Sequence, residues 1–296
     1  MAPHRFHSLE HWFPNQTVIP LWPECDVPHS LNPSFVERST EPSKPDRALS
    51  EVTSPELLVF KPDTPNGIGI LILPGGGYER LAFDSEGADT ARWLAQHGYT
   101  AFVLSYRLPH GAHTEGRMAP LVDVQKAMSL IRSMRLNRPF NQLGVMGFSA
   151  GGHLAGLYTN ECAVSKLRAD DAALTAPDFC VLLYPVITMH SDMTHLGSKA
   201  ALLGEDPSEQ DVTNASLEER VTAAHPPCFL LHCSDDDSVP VNNSLHYWQA
   251  LQHLGIAVEM HLFERGGHGF GLHGAKEHPV SCWPTLLHNW LLQHAK

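Results

Sequence analysis

Short apolar runs that stop at glycine or at an acidic turn alternate along this chain with segments of helical period. That alternation restricts the fold more than any other feature. Residues 68–73 are apolar throughout and run straight into Pro74-Gly75-Gly76-Gly77. A strand with no polar face has no solvent side, as in a parallel sheet covered by helices. Residues 57–60, 100–104, 143–147, 179–186, 228–232 and 256–263 read as further strands. Between them, helices are expected at about 85–97 (closed by Gly98), 120–135, 150–160 and 242–254 (closed by Gly255). The second of these opens on Pro120 and sets Leu121, Val124, Met128 and Ile131 on one face. A last helix carries Trp283, Leu286, Leu287, Trp290 and Leu291. Strands alternating with helices predict an α/β fold, a mostly parallel central sheet with helices on both faces. Residues 1–55, proline-rich and without period, are expected to be an irregular arm packed on a single domain over 56–296. Residues 187–222 interrupt the alternation and are expected to form a partial lid or a pocket wall.

Composition excludes several classes of function. The net charge of −12 over 296 residues repels polyanions, so no nucleic acid partner is expected. No long apolar run suits a membrane span, and the N-terminus lacks the basic and apolar regions of a secretory signal. A cytoplasmic location is the expectation, with a mature secreted form as the alternative. The six cysteines match no zinc or CxxC spacing and sit largely in apolar runs, so they read as buried thiols. The 20 histidines are scattered without an HExxH or HxH pair, so neither a metal nor a cofactor is expected.

Gly147-Phe148-Ser149-Ala150-Gly151 lies between an expected strand and an expected helix. That is the context of a nucleophile elbow, where a sharp turn lifts a serine above the sheet. A serine hydroxyl needs a base, and the base needs an orienting acid, in the chain order serine, acid, histidine. Asp235-Asp236-Asp237 directly follow an apolar strand, at the carboxyl end where parallel sheets bind ligands. The order of elements leaves all three open as the acid. His268, between Gly266-Gly267 and Gly269 after the last strand, is the candidate base. Acyl transfer also needs fixed N–H donors for a tetrahedral oxyanion. Gly76, Gly77 and Ala150, the residue after the serine, are the candidate donors, and Tyr78 is a candidate pocket residue.

The Pro74–Tyr78 loop, Tyr106-Arg107-Leu108-Pro109, the segment from Gly147 to Leu154, the stretch from Asp235 to Leu245 and Gly266–Leu272 together resemble one group of α/β-hydrolases. It is the group of small carbohydrate esterases that includes acetylxylan esterases and bifunctional acetylxylan/feruloyl esterases. The resemblance spans about residues 56–272. It implies an α/β-hydrolase catalytic domain without a large cap, and it selects Asp236, three residues before Val239, over Asp235 and Asp237. The implied activity is hydrolysis of short acyl esters, acetyl above all, on carbohydrates such as acetylated xylan, so the expected partner is a small or oligosaccharide ester. A general short-chain carboxylesterase or lipase is the alternative. A prolyl-oligopeptidase-type serine peptidase shares the serine and histidine motifs, but the arm is too short for a propeller. Fluorophosphonate labelling is expected at Ser149 and lost in Ser149→Ala; labelling that survives this change would place the nucleophile elsewhere.

Overall fold

The computed structural model describes residues 4–22, 32–111, 113–134, 140–168 and 175–294. Eight strands form the main sheet: β1 (Thr17–Pro20), β2 (Glu56–Phe60), β3 (Ile68–Leu73), β4 (Thr100–Leu104), β5 (Gln142–Phe148), β6 (Cys180–Leu183), β7 (Cys228–Cys233) and β8 (Val258–Phe263). Their order is β8-β7-β6-β5-β3-β4-β2-β1. Only β2 runs against its neighbours; every other pairing is parallel. All six residues of β3 are buried, as the continuous apolar run required. Each large aliphatic side chain so buried stabilises the fold by roughly 1.5–3 kcal/mol.

The helices are α1 (Asp89–Gln96), α2 (Ala119–Ser133), α3 (Ser149–Arg168), α4 (Leu196–Leu203), α5 (Glu209–Ala215), α6 (Asn242–His253) and α7 (Trp283–His294). They cover both faces of the sheet, with α3 against β3, β5 and β6, α1 against β2 and β4, and α6 and α7 against β7. From β3 the chain goes to β4 on one side and then to β5 on the other, so the switch in strand order lies between β3 and β5, which carries Ser149 at its carboxyl end.

Three expectations need correction. The N-terminal arm is not irregular: residues 17–20 form edge strand β1, antiparallel to β2. Two-residue and four-residue strands at His4–Arg5, Ser34–Glu37 and Arg47–Ser50 join Leu81–Ala82 in a small antiparallel sheet. These segments are short and lack an alternating pattern, so their order comes from pairing with the domain. The helix expected from residue 85 begins at Phe83 as a π-turn over Phe83–Ala88 before α1 takes over. The strand expected at 179–186 stops at Leu183, because Tyr184 adopts a left-handed φ of 37°.

Charge pairs fasten the arm. Arg47 forks onto Asp84 with two 2.7 Å contacts, donates its backbone N–H to the same carboxylate, and lies 4.1 Å over the Trp12 ring. Burial pushes the Asp84 carboxyl up, and the Arg47 contacts oppose that shift. Trp22 donates to Asp123, which is itself buried beneath the Arg107 guanidinium. Breaking a buried pair leaves an uncompensated charge, at a cost of roughly 3–5 kcal/mol. Arg47→Ala is therefore expected to lower unfolding stability by about that amount in urea titration; a change below about 1 kcal/mol would show that the arm is held elsewhere.

Candidate active site

The turn between β5 and α3 sets the geometry. Ser149 has φ 52°, a strained conformation for a residue with a side chain. A Cβ on Gly147 would stand 2.1 Å from the Gly151 carbonyl, and one on Gly151 would stand 2.2 Å from that of Leu73. No larger residue fits at either place. The serine side chain therefore projects above the carboxyl ends of the strands, and α3 begins directly beneath it.

His268 Nε2 lies 2.8 Å from Ser149 Oγ, and His268 Nδ1 lies 2.6 Å from Asp236 Oδ2. An ionised carboxylate only accepts, so the ring proton sits on Nδ1 and Nε2 is free to accept the serine proton. Asp236 Oδ1 accepts from the backbone N–H groups of Ser238 and Val239, and His232 Nε2 approaches Oδ2 at 3.2 Å. Burial raises the Asp236 pKa, but the contacts from His232 and His268 outweigh it and hold the carboxyl well below the usual range. The three neighbouring acids have different surroundings. Asp235 accepts from Gly266 and Gly267 N–H and so clamps the loop that carries His268, while Asp237 is exposed with only Ser238 Oγ as partner.

The glycine loop reaches the same point from β3. Gly75 donates its N–H to Glu86 Oε2 at 2.7 Å, and Tyr106 donates to the Pro74 carbonyl at 2.6 Å. Both bonds hold the one peptide group between Pro74 and Gly75, and on its other side the Gly75 carbonyl accepts from Ala82 N–H at 2.9 Å. Gly76 and Gly77 follow at φ 130° and 70°, and a Cβ on Gly76 would stand 2.2 Å from the Arg80 carbonyl. Tyr78 is fully buried and donates to His153 Nδ1 at 2.8 Å; His153 Nε2 donates to the Ala215 carbonyl. Burial pushes the His153 pKa down to about 4.

Several residues at the site were not singled out by sequence reasoning. His232 stands inside an apolar strand, and that lone polar residue was its only signal. Tyr184, just past the end of β6, packs edge to face with His268 at 4.9 Å between ring centroids. Glu86 sits on the π-turn, within a helix that looked ordinary. His195 caps α4 by accepting from Ser198 N–H, and its ring faces Gly77. Burial and then the nearby His268 lower its pKa, against Glu79 and Asp236.

The segment 187–222 walls a cavity of about 330 Å³ with α4 and α5. Tyr78, Leu154, Leu157 and Leu202 line it, and the Arg117–Asp211 and Arg220–Glu161 pairs stand at its edge. Ser149, Asp236 and His268 are not part of its wall. Among the described residues, His190, Glu218 and Glu219 bring possible metal ligands within 4.8 Å of one another, but His190 and Glu219 are already paired at 2.7 Å on the surface. Cys162, Cys180, Cys228 and Cys233 are buried free thiols and Cys282 is an exposed one; Cys25 lies outside the described residues. No helix of the described residues is long and apolar enough to cross a membrane.

A serine on a strained strand-to-helix turn, with imidazole and carboxylate in line at the carboxyl ends of a parallel sheet, places the fold and site among the α/β-hydrolases. The BD-FAE family model matches residues 64–251, which include Ser149 and Asp236 and stop short of His268. The chain is 33% identical over 232 residues to an acetylxylan esterase of Xylanibacter ruminicola, covering 75% of this chain and 45% of that protein. It is 36% identical over 204 residues to endo-1,4-beta-xylanase B of Butyrivibrio fibrisolvens, covering 68% and 32%. The chain thus spans less than half the length of these curated relatives. An acetyl ester-xyloside bifunctional hydrolase from Caldicellulosiruptor lactoaceticus superposes with a TM-score of 0.72 at 36% identity, covering 94% of this chain and 96% of that one. The chain belongs to the BD-FAE family and has the α/β-hydrolase fold.

Two outcomes follow from the site. Asp236→Asn is expected to lower kcat by roughly 10⁴-fold, as for an acid that fixes the histidine tautomer. Asp237→Asn should stay near wild type, and the reverse pattern would place the acid wrongly. The second concerns pH. His153 and His225 are both held near pKa 4 by burial, against 6.5 when free. As pH falls from 6.5 towards 4 the unfolded chain takes up protons that the folded chain refuses, so stability is present above this window and lost through it. A urea midpoint that stays flat over that range would contradict this.

Proposed function

We propose that the protein is a serine esterase that hydrolyses short acyl esters, acetyl above all, on carbohydrates such as xylo-oligosaccharides. The observation that carries this reading is the unbroken hydrogen-bond line from Ser149 through His268 to Asp236, beside the glycine loop. In the proposed cycle Ser149 Oγ attacks the ester carbonyl while His268 Nε2 takes its proton. Asp236 keeps the imidazole in the Nδ1–H form and stabilises the imidazolium. The N–H groups of Gly76, Gly77 and Ala150 receive the tetrahedral oxyanion, with the start of α3 adding a favourable field. His268 returns the proton to the leaving sugar oxygen, and the acyl group stays on Ser149. Water then attacks the acyl-enzyme with His268 again as base, releasing the acid and restoring the serine.

The likeness to an acetyl ester-xyloside hydrolase along nearly the whole chain supports a sugar ester as substrate. The identity with an acetylxylan esterase supports acetyl as the acyl group. The test is acetate release from acetylated xylo-oligosaccharides, run beside nitrophenyl esters of rising acyl length. Wild-type enzyme is expected to release acetate and to lose rate sharply beyond short acyl chains. Ser149→Ala should lose at least roughly 10³-fold in kcat. Turnover of nitrophenyl acetate without any release from the sugar esters would replace this substrate with simple carboxylic esters.

A further inference from the structure

Glu86 is a buried carboxylate with no part in the cycle above. It is 3% exposed and sits on the π-turn before α1, a form of helix concentrated at functional sites. The next residue, Gly87, lets that turn lie flush on the sheet: a Cβ there would stand 2.8 Å from Val103 and 3.2 Å from Pro74. Glu86 Oε2 accepts the Gly75 N–H, and Oε1 accepts the Tyr184 hydroxyl at 3.0 Å. Tyr184 Oη in turn accepts the Gly271 N–H at 3.0 Å, three residues after His268. One carboxylate therefore ties the loop holding Gly76 and Gly77 to the loop holding His268. A Cβ on Gly75 would stand 2.7 Å from Glu86 Oε2 and 2.8 Å from Ser149 Cβ, so the carboxylate and the serine both crowd the Gly75 α-carbon.

The hydrogen bonds specify the ionised form. Gly75 N–H can only donate. The Tyr184 oxygen already receives Gly271 N–H, so its own proton goes to Glu86. A protonated Glu86 would leave one of these buried protons without an acceptor. Resting on the triad reading above, we propose that Glu86 is a positioning residue. As a carboxylate it braces the glycine loop against the histidine loop and adds a second negative charge to the field at His268, beside that of Asp236. A fixed anion in a buried site stabilises the imidazolium formed during acylation without any reorganisation. Burial raises the Glu86 pKa above the usual carboxylate range, and the His268 charge, the Gly75 N–H, the Tyr184 hydroxyl and the Arg38 charge offset only part of that rise. His268 faces Asp236 from the turn after β7, His195 from the start of α4, Tyr184 from the end of β6 and Glu86 from the π-turn. Tyr184, Tyr106 and Arg38 are the other titratable groups that face Glu86.

The experiment is the pH profile of kcat/KM for nitrophenyl acetate with Glu86→Gln, Tyr184→Phe and Ser149→Ala, each checked for folding by thermal melting. Glu86→Gln keeps shape and removes charge. Its plateau is expected to fall roughly 10- to 100-fold through kcat rather than KM. Its acidic limb should move to lower pH, because the protonated base loses a nearby anion. Tyr184→Phe cuts the tether and keeps the charge, so kcat should fall about 10-fold with the limb unmoved. A wild-type plateau and limb in Glu86→Gln would overturn the proposal, and a lowered plateau with an unmoved limb would overturn its charge role. If Glu86→Gln does not fold, wild-type kcat in Tyr184→Phe would overturn the brace. Full activity in Ser149→Ala would instead remove the triad reading, and the proposal with it.

Discussion

Ser149 is held at φ 52° by the close packing of β5, α3 and the end of β3, and the rest of the site is arranged around that strained turn. The backbone at Gly147 and Gly151 approaches neighbouring carbonyls so closely that neither can carry a side chain. Strain of this kind costs about 1–3 kcal/mol and persists only where the surrounding packing fixes it. Here β3, buried throughout, and β5, buried beyond Gln142, supply that packing. What the turn gains is a hydroxyl raised clear of the sheet, with free N–H groups at the start of α3 below it.

Around that fixed serine, two glycine-rich loops arrive from opposite directions, and each is held by acids that take no part in the proposed cycle. Asp235 gathers the N–H groups of Gly266 and Gly267, which aims His268 at the serine. Glu86 and Tyr106 grip the Pro74–Gly75 segment, which aims the next glycines. Glycine is required for the backbone angles of these loops, and it brings flexibility that these anchors remove. His232 performs a similar service for Asp236 from within β7. Glu86 and His232 act from regular elements beneath the loops, where burial makes each hydrogen bond strong and its loss costly.

The cavity behind Tyr78 shows how the segment 187–222 is used. With α4 and α5 it builds a wall beside the glycine loop, and the Tyr78–His153–Ala215 chain links that wall to the loop. The triad side chains lie outside it.

The central sheet, its strand direction and the serine, acid and histidine segments were legible in the sequence, because burial on both faces and sharp turns leave patterns within a few neighbouring residues. Apolar runs mark strands wherever they lie, and glycines mark places where backbone angles or close contacts exclude side chains. The roles of the three aspartates were not legible from element order alone. Asp235, Asp236 and Asp237 are adjacent in the chain, and only the path of the loop decides which one meets imidazole and which one meets N–H groups. The same holds for Glu86, Tyr184 and His232, ordinary letters in their segments whose partners lie up to 98 positions away. The N-terminal strands belong with them, since their order comes from pairing with β2 and with Leu81–Ala82. Sequence determined what local sterics and burial dictate; the tertiary structure decided which distant polar groups face each other, because hydrogen bonds between them depend on position in space and leave no periodic trace along the chain.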